Sequence, residues 1–475
     1  MSALWTLDEM TAAMQADRAG ALPFEITGIS IDTRSIAKGE VFFAIQGDHR
    51  DGHDFVDAAL KAGAAVAVVS RQKQASLPAG APLLLVDDVL EALRDLARAA
   101  RARMQAKIIA VTGSVGKTGT KEALRLALGA DGETHASAAS YNNHWGVPLS
   151  LARCPTTAKY AVFEIGMNHA GEITPLVQLV RPHVAIITTV APVHLEYFGS
   201  IEKIADAKAE IFTGIEPGGA AVLNGDNRQY DRLLAAAKAA KVSRIVTFGE
   251  GGSADARLMR YSMQPDSSTV QAIILGQEVT YKLGAPGKHI ILNSLSVLSA
   301  VSLVGGDLAL AALALNQLRA PAGRGARLML KLPGGSALLI DESYNANPAS
   351  MTAAIALLGQ ADISRHGRRI AVLGDMLELG DQGESLHAAL VEPIEAARID
   401  LVYCSGPQMH SLWQALPSGR RGGYAVTAAE LESSVLDAIR DGDAVMVKGS
   451  LGSKMGPIVK ALERQFQGRP MLEQA

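Results

Sequence analysis

The chain has 475 residues, of which 48% are hydrophobic and 20% are charged, and its formal net charge is −3. It is too long for one hydrophobic core, and a prior of about 150 residues per domain predicts roughly three domains. The balanced charge, without a basic tail or an acidic block, argues against nucleic acid and membrane surfaces as partners. The two cysteines fit no metal or redox spacing and the N-terminus has no signal-peptide pattern, so we expect a cytoplasmic protein.

The first hundred residues alternate short β-type runs with helical patterns, which predicts a small α/β domain over residues 1–106. Short apolar runs bounded by turn residues are typical of buried strands. The predicted strands are Val41–Ile45, Ala65–Ser70 and Leu83–Val86, and the predicted helices cover Asp54–Ala64 and Asp88–Gln105.

The segment Lys107–Leu128 (KIIAVTGSVGKTGTKEALRLAL) has the pattern of a phosphate-binding loop. An apolar strand, a glycine-bracketed turn and an amphipathic helix follow one another, as such a loop requires. Glycines let backbone N–H groups surround a polyphosphate, Lys117 can reach its terminal oxygens, and the Thr118 hydroxyl can ligate Mg²⁺. The first glycine of the full motif is replaced by Val111, so only the short form G-S-V-G-K-T is present. An ordinary strand–turn–helix connection is the alternative. We predict a nucleoside triphosphate site formed by Gly113, Ser114, Val115, Gly116, Lys117, Thr118 and Gly119.

Residues 107–319 are predicted to form a central P-loop ATPase domain with a mainly parallel sheet. Strand patterns recur at Ala161–Gly166 and Val184–Val190, and the polar–apolar mixture of Arg244–Thr280 suggests a β-rich insert. The long apolar stretch Ile290–Leu318 is broken by amide, acidic and glycine residues. We therefore interpret it as two buried helices and not as a membrane span.

A cluster of proline and glycine at Arg319–Gly325 marks a domain boundary and a candidate hinge. Residues 320–475 are predicted to form a C-terminal, doubly wound, Rossmann-like α/β domain. The fold class is therefore α/β in three domains. The predicted strands of the last domain are Ala337–Glu342, Arg369–Asp375, Leu401–Gly406 and Ala444–Ser450.

Polar residues that close apolar runs are candidate functional groups, because ligands of open α/β sheets bind at the carboxyl ends of strands. Glu164 and His194 close two such runs and are candidate ligands of one or two Mg²⁺ ions held against the phosphates. The alternatives are a solvated or ion-paired glutamate and a structural histidine. Two loops rich in amide and hydroxyl groups also suit a polar ligand, although turn chemistry explains them as well: Asn142-Asn143 and Asp341–Ser350.

Four segments carry a family resemblance: Asp32–Phe55, Tyr141–Leu151, Asp341–Met351 and Val372–Gly380. They resemble the Mur ligases, the ATP-dependent amide-bond-forming enzymes of peptidoglycan precursor synthesis. The resemblance covers about residues 30–455 and implies the family's order of a UDP-sugar domain, an ATPase core and an incoming-amino-acid domain. The elements YNNHWGVP and YNANP are similar to those of members that add D-alanyl-D-alanine to the UDP-N-acetylmuramoyl tripeptide.

The resemblance implies roles for single residues. Lys208, by itself only a surface charge on an Ala-rich helix, matches the lysine that CO₂ carbamylates to give a further magnesium ligand. That chemistry needs a neutral amine, so its pKa should lie below the usual value of about 10.4. The implied catalytic residues are Lys117, Lys208 and His194, and the implied ligands of two Mg²⁺ ions are Thr118, Glu164, His194 and Lys208.

The same resemblance implies contacts to the substrates. Besides the loop, the implied ATP-contacting residues are His289, Asn293, Arg324 and Asp341. The implied uridine-nucleotide residues are Ser30, Asp32, Thr33, Arg34, Gln46 and Gly47. Residues implied near the peptide substrates or the nucleotide are Asn142, Asn143, Tyr344, Asn345, Asn347, Lys448 and Ser450.

Two positions depart from the family pattern. Gly119 stands where the family has Thr or Ser after GKT, so a hydroxyl is lost while the backbone N–H is kept. Leu451 stands where the family often has Arg after KGS, so a charge contact is missing and the roles of Lys448 and Ser450 are weakened.

The implied activity is ligation through an acyl phosphate, formed when the tripeptide carboxylate attacks ATP and consumed by the dipeptide amine. The rival interpretations are a sister ligase that adds a single third amino acid and a nucleotide-dependent switch protein. The residues leave open whether the tripeptide carries lysine or diaminopimelate, and which group is the general base for the amine. They also leave open the oligomeric state, for which a monomer is expected.

Overall fold

The computed structural model describes residues 3–47, 50–137, 140–193, 195–264, 266–319, 323–467 and 469–470. The predicted metal ligand His194 lies outside these residues, as do Ala320, Pro321 and Ala322 of the candidate hinge. The elements below are those of the described residues.

The N-terminal part contains a small sheet that we call the first sheet. The elements of the N-terminal part are β1 (Trp5–Thr6), α1 (Leu7–Met14), β2 (Asp17–Ala19), β3 (Glu25–Ile26), β4 (Gly28–Ser30), β5 (Glu40–Phe43), α2 (Val56–Ala62), β6 (Val66–Ser70), β7 (Leu83–Val86) and α3 (Val89–Arg103), and the first sheet consists of β2, β4, β5, β6 and β7. Strands β4, β5, β6 and β7 are parallel neighbours, β2 pairs antiparallel with β7, and β1 and β3 form a separate antiparallel pair. The predicted strands and helices of this part are confirmed.

The central sheet follows the first sheet in the chain. Its elements are β8 (Lys107–Thr112), α4 (Lys117–Gly129), β9 (Thr134–Ala136), α5 (Gly146–Ala152), β10 (Tyr160–Glu164), α6 (Ile173–Val180), β11 (Val184–Ile187), α7 (Leu195–Phe198), α8 (Ile201–Ala209), β12 (Ala220–Asn224), α9 (Tyr230–Ala239), β13 (Arg244–Gly249), β14 (Ala256–Met263), β15 (Ser268–Ile274), β16 (Gln277–Leu283), α10 (Lys288–Leu303) and α11 (Leu308–Ala314). The strand order is β16-β15-β14-β13-β12-β11-β8-β10-β9.

Strands β8 to β14 of the central sheet are parallel, and only β15 and β16 pair antiparallel. The mainly parallel sheet is therefore confirmed. The segment Arg244–Thr280 is β-rich as predicted, but it extends one edge of this sheet and is not a separate insert. Strand β8 lies between β10 and β11 with its apolar residues buried, as continuous apolar runs in parallel sheets predict.

The apolar stretch after residue 290 forms two helices, α10 and α11, as predicted. Asp307 accepts hydrogen bonds from the first turn of α11, which explains why the chain restarts a helix there. No helix in the described part of the chain is long and apolar enough to cross a membrane.

The C-terminal part contains a third sheet, also with helices on both faces. Its elements are β17 (Ala326–Leu332), β18 (Gly335–Glu342), α12 (Pro348–Gly359), β19 (Arg369–Gly374), α13 (Gly383–Ala388), α14 (Val391–Ala396), β20 (Leu401–Ser405), α15 (Met409–Ala415), β21 (Arg421–Ala425), α16 (Ala428–Ala438), β22 (Ala444–Lys448), α17 (Gly456–Gln465) and β23 (Arg469–Pro470). The order is β21-β20-β19-β22-β18-β17-β23, with parallel pairing from β21 to β18.

The first and central sheets share a hydrophobic core, whereas the described core residues of the third sheet form separate clusters. One continuous core contains side chains of the first sheet together with those on one face of the central sheet, for example Trp5 and Phe163. Hydrogen bonds from side chains to backbone carbonyls also join the two parts. Trp5 Nε1 donates to Ala152 O at 2.8 Å, and Arg153 Nε donates to Ile29 O at 2.7 Å. The two cores of the third sheet contain only residues of the C-terminal part.

Candidate active site

The loop between β8 and α4 has backbone conformations that require glycine. Gly116 has φ +89°, and a Cβ there would lie 2.5 Å from Asn293 Nδ2. Gly113 has φ +150°, and a Cβ there would lie 2.0 Å from Thr188 Oγ1. These positions cannot accept a side chain without a shift of their neighbours, so the glycines of G-S-V-G-K-T shape the turn itself.

Hydroxyl groups tie this loop to the end of β11. Thr188 Oγ1 donates to Val115 O at 2.6 Å, and Ser114 N donates to Thr189 O at 2.8 Å. The Ser114 hydroxyl bonds both the N–H and the carbonyl of Ala191, at 3.0 and 3.1 Å. The loop is therefore held in its curved form by the protein alone, with α4 starting directly behind it.

Lys117 is the first residue of α4, and its ammonium folds back over the loop. Its Nζ donates to Gly113 O at 2.7 Å. Burial lowers the pKa of Lys117; the nearby carboxylate of Glu164 opposes this shift and the guanidinium of Arg324 adds to it. The positive charges of Lys117 and Arg324, from different parts of the chain, therefore lie close enough to affect each other. A polyanion bound between them would be attracted by both charges.

Glu164 is a fully buried carboxylate at the end of β10. Its Oε2 accepts from Thr118 Oγ1 at 2.9 Å, and its Oε1 accepts from Asn142 Nδ2 at 2.7 Å. Both donors are neutral, and the charge of the nearby Lys117 ammonium also acts on this buried carboxylate. The set of Thr118, Glu164 and Asn142 oxygens thus fits a hard divalent cation. Among the described residues, no three His, Cys, Asp or Glu side chains converge as a metal cluster.

Lys208 lies on α8 and is buried rather than on the surface, with 2% exposure. Burial, with a further contribution from the charge of Lys117, lowers its pKa well below the usual value. A buried amine of low pKa is the neutral form that reacts with CO₂. The ammonium forms no hydrogen bond or ion pair with any other described residue.

A cavity of about 950 Å³ lies between the central sheet and the third sheet. The central wall of this cavity includes Ser114, Val115, Gly116, Lys117, Gly119, Asn142, Glu164, His289 and Asn293. The third-sheet wall includes Arg324, Glu342, Tyr344, Asn345, Asn347 and Lys448. The structure therefore brings together most residues predicted to bind ATP and the peptide, from segments as far apart in the chain as Ser114 and Lys448.

Several predicted residues do not line this cavity. Asp341 is mostly buried, and its carboxylate accepts from Gly323 N at 2.9 Å and from the Ser343 N and Oγ at 3.1 and 2.6 Å. It organises the turn that carries Arg324, whose guanidinium lies 4.3 Å from the centre of the Tyr344 ring. The other predicted residues outside the lining are Gly113, Thr118, Asn143, Lys208 and Ser450, besides those of the first sheet.

Turn chemistry accounts for part of the YNANP loop. Asn347 Oδ1 accepts from Ser350 N at 2.9 Å and caps α12, and Asn345 Oδ1 accepts from Ala346 N at 2.9 Å. Ser450 Oγ accepts from Leu377 N at 3.0 Å and donates to Ala346 O at 3.3 Å. The loop is thereby fixed against the end of β22, where Lys448 Nζ donates to Asn345 O at 2.9 Å.

The residues predicted to bind the uridine nucleotide lie together at the carboxyl ends of the first-sheet strands. Arg34 forms an ion pair with Asp32 at 2.6 Å, and its hydrogen bonds lower the pKa of Asp32 to about 2. Ser30 Oγ bonds the Asp32 backbone, and Gly47 N donates to Arg50 O at 2.9 Å. The backbones of Gln46 and Asp51 form an isolated antiparallel β-bridge. Thr33 lies in the turn between Asp32 and Arg34.

The first-sheet residues approach the loop that carries Asn142 and Asn143. Tyr141 influences the pKa of Arg34, which is raised chiefly by Asp32, and the Arg153 guanidinium lies 5.9 Å from the Tyr141 ring. A second cavity of about 990 Å³ shares the wall formed by Asn142, Gly166, Met167 and Asn168 with the first cavity and includes Asn143. The two cavities therefore form neighbouring compartments.

Sequence reasoning missed two groups of cavity residues. The polar run NGDNR at the end of β12 places Asn224, Asp226, Asn227 and Arg228 in the cavity wall. Its signal was the same as for Glu164, namely polar residues that close an apolar strand. Glu342 was also missed: it closes β18, but its pairing with Lys448 depends on a strand more than a hundred positions away.

Comparisons with known proteins agree with this arrangement. Family models described as Mur ligase family, catalytic domain, Mur ligase middle domain, and Mur ligase, glutamate ligase domain match residues 25–101, 111–301 and 328–451. The UDP-N-acetylmuramoyl-tripeptide--D-alanyl-D-alanine ligase of Escherichia coli is 34% identical over 96% of this chain and 98% of that protein. The ligase of the same name from Rickettsia prowazekii is 33% identical over 91% of this chain and 94% of that protein.

Solved structures match over a similar length. A crystal structure of MurF from Acinetobacter baumannii superposes with a TM-score of 0.83 at 29% identity, covering 97% of this chain and 99% of that chain. MurF ligase from Thermotoga maritima, in complex with ADP, superposes with a TM-score of 0.75 at 25% identity, covering 93% and 98%. The three-sheet architecture, the phosphate loop and these matches together show that the chain belongs to the Mur ligase family.

Proposed function

We propose that this chain is an ATP-dependent ligase that joins D-alanyl-D-alanine to the UDP-N-acetylmuramoyl tripeptide in peptidoglycan precursor synthesis. One observation carries the proposal: Lys117 and Arg324, from different sheets, line one cavity and act electrostatically on each other. A polyphosphate between them would relieve this repulsion and bring the two walls together. Relatives that carry this activity in their names match nearly the whole chain.

The loop and the third-sheet wall would orient ATP. Backbone N–H groups of residues 113–119 and the N-terminus of α4 favour the phosphates. Lys117 would leave Gly113 O and contact the terminal phosphate, and Arg324 would approach from the opposite side. His289 and Asn293 on α10, together with the polar run at the end of β12, are placed to contact the nucleoside.

Thr118, Glu164, Lys208 as a carbamate and His194 would hold Mg²⁺, with two ions as the expected number. Mg²⁺ bound there would neutralise charge on the transferring phosphoryl group. The fully buried Glu164 with neutral donors and the buried, low-pKa Lys208 support these roles.

The peptide chemistry would take place between the two walls. The tripeptide carboxylate, coming from the first-sheet side past Asn142, attacks the γ-phosphate and gives an acyl phosphate and ADP. The dipeptide amine then attacks the acyl carbon, and phosphate leaves. Closure of the third-sheet wall on the central wall would exclude water, which would otherwise hydrolyse the acyl phosphate. Positioning and electrostatic stabilisation would supply most of the acceleration.

The domain limits 1–106, 107–319 and 320–475 are part of this proposal, with a hinge near residues 319–325. The described first sheet spans residues 17–86, the central sheet 107–283 and the third sheet 326–470, which supports them. We also propose that the protein acts as a monomer in the cytoplasm, where ATP is available.

Phosphate release tests the function. Purified protein with ATP, Mg²⁺ and the UDP-N-acetylmuramoyl tripeptide should release phosphate rapidly only when D-alanyl-D-alanine is added. Single amino acids in place of the dipeptide, and dipeptide-independent ATP hydrolysis, test the sister ligase and the switch protein. A rate that does not respond to the dipeptide would refute the proposal. Tripeptides with lysine and with diaminopimelate should be compared in the same assay.

A further inference from the structure

Glu342, which is partly exposed, and the buried Lys448 form an ion pair on the third-sheet wall. They are register partners on the parallel strands β18 and β22, so both stand at the carboxyl edge of the third sheet. Lys448 Nζ lies 3.2 Å from Glu342 Oε2, with side-chain exposures of 2% and 17%. The second hydrogen bond of Lys448, to Asn345 O at 2.9 Å, fixes the ammonium against the YNANP loop.

Only one oxygen of this carboxylate is engaged. Oε2 accepts from Lys448, and Glu342 forms no other hydrogen bond or ion pair with a described residue. Both residues line the cavity that contains the phosphate loop. Lys448 therefore holds the direction of the carboxylate while its second oxygen is available to a ligand.

Each of the other carboxylates in the described cavity lining accepts hydrogen bonds from the protein at both of its oxygens. Glu164 accepts from Thr118 and Asn142, and Asp226 accepts from the backbone N–H groups of Glu250 and Gly251. Among the described residues of the third-sheet wall, Glu342 is the acidic residue that lines the cavity. It is therefore the acid placed opposite the phosphate loop.

The chemistry of the proposed reaction requires a proton acceptor at this place. The acyl phosphate forms at the central wall, so the amine has to approach from the third-sheet side. A peptide amine has a pKa of about 8 and is mainly an ammonium at neutral pH, without a lone pair for attack. A carboxylate within hydrogen-bond reach can bind this ammonium and accept its proton.

We propose that Glu342 binds the ammonium of the incoming D-alanyl-D-alanine and acts as the general base for its attack. This inference depends on the proposed function. The ammonium transfers one proton to the free Glu342 oxygen, and the nitrogen lone pair forms the C–N bond to the acyl carbon. The tetrahedral intermediate breaks its C–O bond to phosphate, which leaves with the electron pair and takes the second amine proton. Glu342 returns its proton to solvent when the product leaves.

The test compares two nucleophiles on the same acyl phosphate. Hydroxylamine is largely unprotonated at neutral pH and traps acyl phosphates as hydroxamates without needing a base. We measure ligation of D-alanyl-D-alanine and hydroxamate formation with wild type and Glu342→Gln, each with ATP and the tripeptide. Glu342→Gln should lose dipeptide ligation by about 10²- to 10⁴-fold, the usual contribution of general-base catalysis. Its hydroxamate formation should equal that of wild type.

A matched control separates this role from the loss of an ion pair. Lys121 is also a buried lysine, with Nζ 2.9 Å from Glu122 Oε1 and 2.7 Å from a backbone carbonyl, that of Ser137. Neither Lys121 nor Glu122 lines the cavity. Glu122→Gln should leave both reactions unchanged.

Wild-type ligation by Glu342→Gln, or an equal loss of both reactions, would overturn the inference, because Glu342 would then be dispensable or only structural. Absence of hydroxamate with wild type would instead refute the proposed function. If Glu342→Gln does not fold, Glu342→Asp keeps the charge beside Lys448 but withdraws the carboxylate by one methylene. It should then lose dipeptide ligation selectively, by about 10²-fold, and an equal loss in both reactions would again overturn the inference.

Discussion

The central wall and the third-sheet wall of the cavity hold their functional groups in different ways. On the central wall, glycine conformations and backbone hydrogen bonds fix the phosphate loop, as at Gly116 and Ser114. On the third-sheet wall, side chains fix one another, as Lys448 does with Glu342 and Tyr344 with Arg324. A backbone-built site should fail where a substitution disturbs a required glycine conformation, whereas a site built from side-chain pairs should fail where one of the paired groups is removed. The four predictions below test this difference.

Lys117→Ala should have the largest effect. Removal of the ammonium that reaches the terminal phosphate should lower kcat/KM by about 10³-fold, as loss of one strong transition-state donor does. Phosphate release measures this loss. Calorimetric binding of the UDP-N-acetylmuramoyl tripeptide should be unchanged, since the first-sheet residues are untouched. Retained turnover would contradict the role of Lys117.

Lys208→Ala should lower kcat by about 10²-fold, because it removes one of the proposed Mg²⁺ ligands while the phosphate contact of Lys117 is kept. Added acetate or formate should restore part of the activity by replacing the carbamate. Lys203→Ala on the same helix, where the side chain is exposed, is the matched control and should behave as wild type. Normal activity of Lys208→Ala, without rescue, would exclude the carbamate.

Gly116→Ala and Gly119→Ala form a pair on one loop. The first places a methyl group at φ +89° and 2.5 Å from Asn293 Nδ2, so we expect a lower melting temperature and about a tenfold rise in KM for ATP. The second adds a methyl group with no atom within 4 Å, inside α4, and should stabilise the fold by about 0.5–1 kcal/mol. Thermal unfolding and ATP titrations check both. Equal behaviour of the two variants would contradict a backbone-built wall.

Tyr344→Ala should have the smallest effect. An exposed cation–π contact contributes about 1 kcal/mol, so loss of the ring that orients Arg324 should raise KM for ATP about fivefold. Tyr344→Phe keeps the ring and should be unchanged. Steady-state kinetics of the two variants distinguish ring stacking from a contact made by the hydroxyl. A loss in Tyr344→Phe equal to that in Tyr344→Ala would show that the hydroxyl is what matters.

The sequence allowed the phosphate loop to be predicted because its glycines act locally. The buried central strands of the three sheets were also predictable, since buried parallel strands are continuous apolar runs, whereas shorter or more polar strands such as β4 and β9 were not predicted. Local sequence patterns did not predict features of the structure that depend on contacts between distant segments of the chain. The predicted strand Val184–Val190 ends at Ile187, and the next two residues, Thr188 and Thr189, form hydrogen bonds with the phosphate loop. Likewise, Arg244–Thr280 joins the central sheet through pairings that no local pattern contains.

The site was less predictable than the fold for the same reason. Lys208 appeared to be a surface charge, and only its packing in the folded chain reveals a buried amine. The nucleotide contact of Asp341 stays a prediction, and the hydrogen bonds that its carboxylate accepts from Gly323 and Ser343 could not be read from the sequence. Glu342, its neighbour, gained its importance from Lys448, which the chain reaches only after three further strands.

The shared core of the first and central sheets has a consequence for unfolding. Side chains from Trp5 to Ala237 belong to one apolar cluster, whereas the third sheet buries its apolar side chains separately. Denaturant should therefore melt the chain in two cooperative steps, one for residues of the first two sheets together and one for the third. ATP, which would contact both parts, should merge the two steps into one.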